Sequence, residues 1–182
     1  MKYLVFLIRI ILMAFLIVGC EHDDALPTET SSEIELRSTS VPIRDIEPGW
    51  ETAHDQLTEK FLTAIKNKDL DSFMECWWNS PDAVLVLENG MVVRGSDNIR
   101  AGMGMMMEVH ESLDLVIDDI SRFRIGGDIF CVGTATWTQT LKPEYGGGTV
   151  SFQERWTDVS RHVDGELVYT MDHAHDLTPF LQ

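Results

Sequence analysis

Residues 50–71 read WETAHDQLTEKFLTAIKNKDLD, and this stretch decides the fold. From Trp50 onward its apolar side chains recur at spacings of three and four residues, the pattern of an amphipathic helix with one face against a core. Asn67-Lys68 breaks the pattern, and Asp69 is suited to cap a second helix that continues until Pro81 stops it. We therefore predict that the folded part of the chain begins with a long helix at Trp50, followed by a second helix.

A hairpin, a third helix and several long β-rich runs follow. Asn89-Gly90 is a strong hairpin signal between two short β-rich segments, and Ser96 begins another helical pattern. Glycine-containing turns then separate four strand-like runs, at residues 113–125, 128–141, 149–163 and 166–175. Helix, helix, hairpin, helix and an antiparallel meander is the order of an α+β domain.

Five motifs in this order resemble the NTF2-like superfamily, above all its SnoaL-like and DUF4440-type domains. The motifs are FLTAIKNKDLD (61–71), PDAV (81–84), RGSDNI (94–99), ERWT (154–157) and DGELVY (164–169). The resemblance covers residues 50–178 and implies a cone, in which a strongly curved, mixed and largely antiparallel sheet wraps around a long N-terminal helix with two further helices. It also implies a mostly apolar cavity inside the cone and a homodimer formed through the sheet.

The first twenty residues predict export and lipid attachment. Ile10–Val18 is an unbroken apolar run, which at about 1.5 Å per residue is too short for a hydrocarbon core of about 30 Å. The run leads into Ile17-Val18-Gly19-Cys20, which resembles the lipobox of bacterial lipoproteins, where cleavage precedes an acylated cysteine. We expect residues 1–19 to be a signal peptide and Cys20 to anchor the chain to membrane lipid. An ordinary signal peptide with a chance cysteine is the alternative.

The chain is acidic, above all just after Cys20. Its 14 Lys and Arg against 30 Asp and Glu give a net charge of −16, the opposite of the basic surface that a nucleic-acid partner requires. Residues 20–49 hold eight acidic residues against two arginines without apolar periodicity, so we expect a disordered tether.

In the bacterial lipoproteins that the Cys20 motif resembles, Asp after the cysteine retains the protein in the inner membrane. Glu21 therefore favours the outer membrane of a bacterial cell envelope, on its periplasmic or surface face. At the other end of the chain, we expect residues 179–182 to form a short tail.

Aromatic and methionine side chains are expected to line the cavity, together with a few polar groups. On a regular strand Phe152, Glu154 and Trp156 face the same way, and a carboxyl between aromatic rings could serve as an acid or as a ligand anchor. The alternative is that Glu154 lies near the sheet edge and pairs with an arginine such as Arg124. The predicted pocket residues are Phe61, Trp77, Leu87, Met103, Met106, Trp137, Glu154, Trp156, Tyr169 and His173.

The chain also resembles the ketosteroid isomerases, which are enzymes of the same superfamily, but it lacks part of their catalytic residue pattern. By motif spacing their tyrosine falls at Phe61 and their carboxylate base at Leu87, whereas Glu154 matches their second oxyanion donor. Proton transfer of that type then lacks its base, unless Glu88 is displaced into the base position. An enzyme of the cyclase, dehydratase or isomerase type would instead use Glu154 and the pair Asp172-His173.

The histidines near the C-terminus raise the question of a metal. His173 and His175 alternate on one predicted strand and could offer two ligands to one ion. A third ligand would have to come from Asp176, His110 or His54, and nothing in the spacing demands it. We therefore expect no metal and no cofactor, and the simplest interpretation of this segment is structural.

The sequence is compatible with three functions. The leading one is a membrane-tethered domain that binds a small, largely apolar molecule in its cone. The second is the enzyme described above, and the third is a dimeric interaction module without a ligand. The fold itself does not choose among them, since it hosts many functions.

The lipid anchor gives a direct prediction. We expect Cys20→Ser to leave an unprocessed precursor, because the substituted residue offers no sulfur to acylate. Mobility on a denaturing gel and metabolic labelling with a fatty acid measure the effect. A Cys20→Ser protein that is still cleaved and released as a soluble form would contradict the lipoprotein assignment.

Overall fold

The structure is a computed structural model, and it describes residues 49–87 and 89–177 of the chain. The predicted signal peptide (1–19), Cys20, the tether, Glu88 and the tail (179–182) lie outside the described residues. Within the described part, no helix has the length and apolarity needed to cross a bilayer.

Three helices and six strands make up the described domain. The helices are α1 (Trp50–Asn67), α2 (Leu70–Met74) and α3 (Ser96–Val109). The strands are β1 (Val84–Val86), β2 (Val92–Arg94), β3 (His110–Ile125), β4 (Asp128–Leu141), β5 (Thr149–Val163) and β6 (Glu166–Asp176). A single turn of 3-10 helix, Pro143–Tyr145, lies between β4 and β5.

All six strands form one mixed, curved sheet in the order β2-β1-β6-β5-β4-β3. β1 runs parallel to β6, and every other neighbouring pair is antiparallel. The predicted α+β class, with a curved sheet and three helices, is confirmed. Strands β3, β4 and β5 are long enough, at 14 to 16 residues, to form most of its concave face.

Helix α1 packs against the concave face of the sheet. It begins at the predicted Trp50 and ends where Lys68 adopts a left-handed conformation, with φ 55°. Its buried residues include His54, Leu57 and Ile65, which follow the spacing of three and four. The sequence pattern therefore fixes both the length of this helix and the face that it turns to the sheet.

Helix α2 ends earlier than predicted, at Met74 instead of near Pro81. The backbone that follows it pairs with strand β6. The Tyr169 amide donates to the Cys76 carbonyl and the Trp78 amide donates to the Tyr169 carbonyl, both at 2.8 Å. These bonds to a distant strand replace the next helical turn, and they carry Trp77 into the core.

A β-bulge interrupts strand β6. Tyr169 lies opposite Ser160 and Met171 lies opposite Val159, so Thr170 is an extra residue between them. The Thr170 hydroxyl donates to the Val159 carbonyl at 3.0 Å. An extra residue reverses the face to which all later side chains point, which decides the orientation of residues 172–175.

The two cysteines of the described domain are free and buried. The sequence does not decide whether Cys76 and Cys131 form a disulfide bond, because it predicts one of them on a helix and the other on a strand. Burial raises the pKa of the Cys76 thiol to about 11 and that of Cys131 to about 12. Both thiols are therefore protonated at neutral pH and poorly reactive.

Gly133 generates a stability prediction, because a Cβ atom there would overlap the Trp156 ring and the backbone oxygen of Asp119. We expect Gly133→Ala to lower the free energy of unfolding by about 1–3 kcal/mol, the usual cost of overpacking. Gly127→Ala is the matched control, because its Cβ would meet nothing within 4 Å. Urea denaturation measures both variants, and equal stability of the two would contradict the close packing at Gly133.

Candidate functional site

A cavity of about 100 Å³ lies on the concave face of the sheet, bordered by helices α1 and α3. Most of its wall is aromatic or aliphatic, with contributions from all three helices and from every strand except β2. The lining residues with polar groups other than indole nitrogens are Thr58, Gln139, Glu154, Asp158, Tyr169 and Asp172. The cavity is thus an apolar site with a small polar sector.

Nine of the ten residues predicted to form the pocket lie on this wall. They are Phe61, Trp77, Leu87, Met103, Met106, Trp137, Glu154, Trp156 and Tyr169. Glu154 is buried, with 6% of its surface exposed, and it lies on an internal strand instead of the sheet edge. Phe61 and Leu87, which motif spacing matches to the isomerase tyrosine and base, also line the cavity.

His173 is the exception, and its predicted orientation is wrong. It is exposed, whereas its neighbours Asp172 and Ala174 line the cavity. The cause is the bulge at Thr170, which turns Asp172 inward and His173 outward. The Asp172-His173 pair therefore cannot act together on one ligand, and His175 also lies on the exposed side.

Three carboxyl groups share one sector of the cavity wall. Glu154 and Asp158 are four residues apart along β5 and face the same way, and Asp172 lies directly opposite Asp158 on β6. No lysine, arginine or histidine is among the described residues that line the cavity. Like charges in opposed positions repel, so this sector favours keeping at least one carboxyl protonated.

The surroundings of Asp172 favour the protonated form of its carboxyl group. Burial raises its pKa well above the usual range, and the nearby carboxylates of Asp158 and Glu154 raise it further. Its Oδ1 atom is buried and has no hydrogen-bond partner among the described residues. A protonated carboxyl with one unpartnered oxygen at the wall of an apolar cavity can donate a hydrogen bond to a bound molecule.

Asp158 is held by a network that reaches into helix α1. Its Oδ1 lies 3.3 Å from His54 Nε2, and its Oδ2 accepts from Trp156 Nε1 at 3.1 Å. Arg122 Nε donates to His54 Nδ1 at 3.2 Å, so the proton of a neutral imidazole lies on Nε2 and points at Asp158. Arg122 also donates to Asp55 at 2.5 Å, which joins β3 to the same end of the helix.

A second connection runs through the Tyr169 hydroxyl, which lies 3.3 Å from Thr58 Oγ1. Because Thr58 Oγ1 donates to the His54 carbonyl at 2.9 Å, its remaining role is to accept from Tyr169. Burial raises the pKa of Tyr169, which keeps it a donor. The Tyr169 ring also packs against Phe61 and Trp77, so it joins the network to the apolar wall.

His54, Cys131 and Asp158 form a group whose ligand atoms lie within 4.8 Å of one another, all buried. The hydrogen bonds do not suit a metal, because a ligating His54 Nε2 would move its proton to Nδ1, which faces the Arg122 donor. His110, the other buried histidine considered as a ligand, contacts the Met106 carbonyl at 2.7 Å.

The sequence patterns do not reveal the roles of His54, Asp158 and Arg122. In the sequence pattern His54 is only one position of the buried stripe of α1 and a possible third metal ligand. The available signal was a lone polar residue in that apolar stripe, which needs a buried partner. Nothing in the sequence identifies that partner, because Asp158 lies 104 residues away.

The comparison with family models assigns residues 58–170 to the SnoaL-like domain family. A comparison with curated proteins finds no match.

Solved structures of similar fold are distant in sequence. A candidate dehydratase of the NTF2-like family from Streptomyces avermitilis is 14% identical with a TM-score of 0.63, over 69% of this chain and 95% of that one. An NTF2-like superfamily protein from Salmonella enterica is 16% identical with a TM-score of 0.62, over 69% and 88%. A type 2 hexachlorocyclohexane dehydrochlorinase is 12% identical with a TM-score of 0.61, over 69% and 84%. At these identities the likeness establishes the fold alone, and it confirms the NTF2-like prediction; the DUF4440 resemblance stays a prediction.

The protonation of Asp172 predicts how stability depends on pH. The folded protein holds this proton more tightly than the unfolded chain, so the contribution of Asp172 is complete in acid and is lost as pH rises through its raised pKa. The amide introduced by Asp172→Asn does not ionise. We therefore expect the melting temperature of this variant to rise relative to the native protein between about pH 4 and pH 8.

Thermal unfolding followed by circular dichroism measures this difference. Asp119→Asn, at an exposed position, is the control and should show no such trend. A melting-temperature difference for Asp172→Asn that stays constant over the whole range would contradict the protonated state.

Proposed function

The chain belongs to the SnoaL-like domain family, and from that premise we propose that it binds a small, largely apolar molecule in its concave cavity. The observation that carries the proposal is the combination of an apolar wall with the unpartnered Oδ1 of Asp172. A buried polar atom without a partner costs about 1–3 kcal/mol, and a ligand that bonds to it offsets that cost.

The composition of the wall supports a ligand with an apolar body. Met103 and Met106 are adaptable linings, because their unbranched side chains can repack around different shapes. Trp77 Nε1, on another lining residue, is also buried without a partner among the described residues. The expected ligand therefore combines a small apolar skeleton with one polar group.

Membrane tethering and dimerisation belong to the same proposal. The Ile17-Val18-Gly19-Cys20 motif supports a lipid anchor at Cys20 on the outer membrane of a cell envelope, which would hold the cavity close to apolar molecules in the envelope. Exposed apolar side chains on the edge strand β3, Phe123 and Val116, are compatible with a homodimer through the sheet. An interaction module without a ligand would share this surface but leave the cavity without a role.

An enzyme is the second candidate, favoured by the protonated Asp172 opposite Asp158. One similar structure is named as a dehydrochlorinase and another as a candidate dehydratase. Elimination needs an acid and a base on the same face, and here the pair would be Asp172 with Asp158 or Glu154 instead of Asp172 with His173. Native mass spectrometry of the purified protein separates the two functions, since a binding protein returns its ligand at unchanged mass.

Filling the cavity tests the binding proposal. We expect Ala135→Leu to weaken binding of 2-phenylethanol at least about tenfold, because Ala135 lines the cavity and the added carbons occupy it. Thr134→Leu, on the opposite face of the same strand, adds a similar apolar group outside the cavity and should bind normally.

Methyl-labelled methionine reports the site of binding by NMR. The Met103 and Met106 resonances should shift when 2-phenylethanol is added, and that of the exposed Met105 should not. Shifts confined to Met105, or equal binding by both leucine variants, would contradict the proposed cavity.

A further inference from the structure

The charged side chains that line the cavity are all acidic. Glu154, Asp158 and Asp172 all line it, and no basic side chain does so among the described residues. The positively charged group of the buried network is the Arg122 guanidinium. Its Nη2 atom donates a hydrogen bond to Asp55, and its Nε atom donates one to His54. The Arg122 guanidinium is thus held by two side chains of helix α1, and Arg122 is not among the residues that line the cavity.

One oxygen of the Asp172 carboxyl lacks a hydrogen-bond partner among the described residues. Its Oδ1 is buried at the cavity wall and accepts no hydrogen bond from any described residue. Asp158 opposite and Glu154 nearby are both acidic, and the neighbouring Tyr169 hydroxyl is committed to Thr58. A bound cation would supply a compensating charge and a donor at the same time.

Aromatic rings surround the carboxyl sector. Trp156 lies between Glu154 and Asp158 on the same strand face, and Trp77, Trp137 and Tyr169 line the cavity as well. Carboxylates set among indole and phenol rings are suited to cations with an apolar surface, because such cations interact with the ring faces. A small metal ion would need several oxygen ligands in a hydrated site instead.

Resting on the proposed function, we propose that the ligand of this cavity is an organic cation, a protonated amine on a small apolar skeleton. The ammonium group sits among Glu154, Asp158 and Asp172, and the skeleton occupies the apolar part of the cavity. On binding, the Asp172 carboxyl gives up its proton to solvent and pairs with the ammonium group.

Three probes of nearly equal shape test this charge preference on the full-length protein at neutral pH. They are 2-phenylethylamine, which is a cation, 2-phenylethanol, which is neutral, and phenylacetate, which is an anion. We expect the amine to bind at least about tenfold more tightly than the alcohol, and the alcohol at least about tenfold more tightly than phenylacetate. Calorimetry measures the affinities, and the Met103 and Met106 methyl resonances locate the bound probe.

Each other result overturns a defined part of the account. Equal or tighter binding of the alcohol would overturn the cation preference and leave the apolar binding function intact. Binding of none of the three probes would overturn both. Displacement of the amine by calcium chloride, at an ionic strength where sodium chloride has no effect, would overturn the organic ligand in favour of a metal ion.

Variants locate the preference. Asp172→Asn keeps the side-chain shape and should reduce the preference for amine over alcohol to about threefold or less. Glu59→Gln, on the exposed side of α1, removes the same unit of charge outside the cavity and should keep the full preference. Equal losses in the two variants would show a general effect of net charge and overturn the site.

Discussion

The packing of helix α1 into the concave face of the curved sheet is the constraint on which the rest of the domain depends. One helix cannot fill that face along its whole length. At one end His54 is buried against Asp158 and Arg122, which join the helix to β5 and β3. Towards the other end the wall is formed by side chains from α1, α3 and the sheet, and a space remains between them. The cavity is therefore a consequence of the fold geometry, and its polar character is set by the residues that the strands place there.

The placement of those residues depends on backbone detail as much as on composition. Along β5 the regular alternation puts Glu154, Trp156 and Asp158 on the wall. Along β6 one extra residue, Thr170, turns Asp172 towards the cavity wall and His173 away from it. A histidine at that place could have been a base or a pH-sensitive ligand, whereas the aspartate joins two other acids. The single bulge thus changes the chemistry of the cavity from mixed to uniformly acidic.

The sequence predicted the features that are determined locally. The bounds of α1, β4 and β5 follow from periodicity and from glycine turns, and the regular strand placed Glu154 correctly. Three features depend on contacts between distant parts of the chain, and the sequence did not reveal them. The end of α2 is set by pairing of Cys76 and Trp78 with Tyr169, the bulge by the pairing of β5 with β6, and the buried network by residues on α1, β3 and β5. No local pattern distinguishes Thr170 from any other strand threonine, so the orientation of His173 could not have been read from it.

The central claim is that the concave cavity holds Asp172 as a protonated carboxyl facing a ligand site. Carbon-13 NMR of the aspartate carboxyl groups, followed as pH is changed, tests it most directly, because the chemical shift reports the protonation of each group. The account predicts one aspartate carboxyl that remains protonated at neutral pH and whose signal is missing in Asp172→Asn. If every aspartate carboxyl instead loses its proton in the ordinary acidic range, the protonated ligand site at Asp172 does not exist.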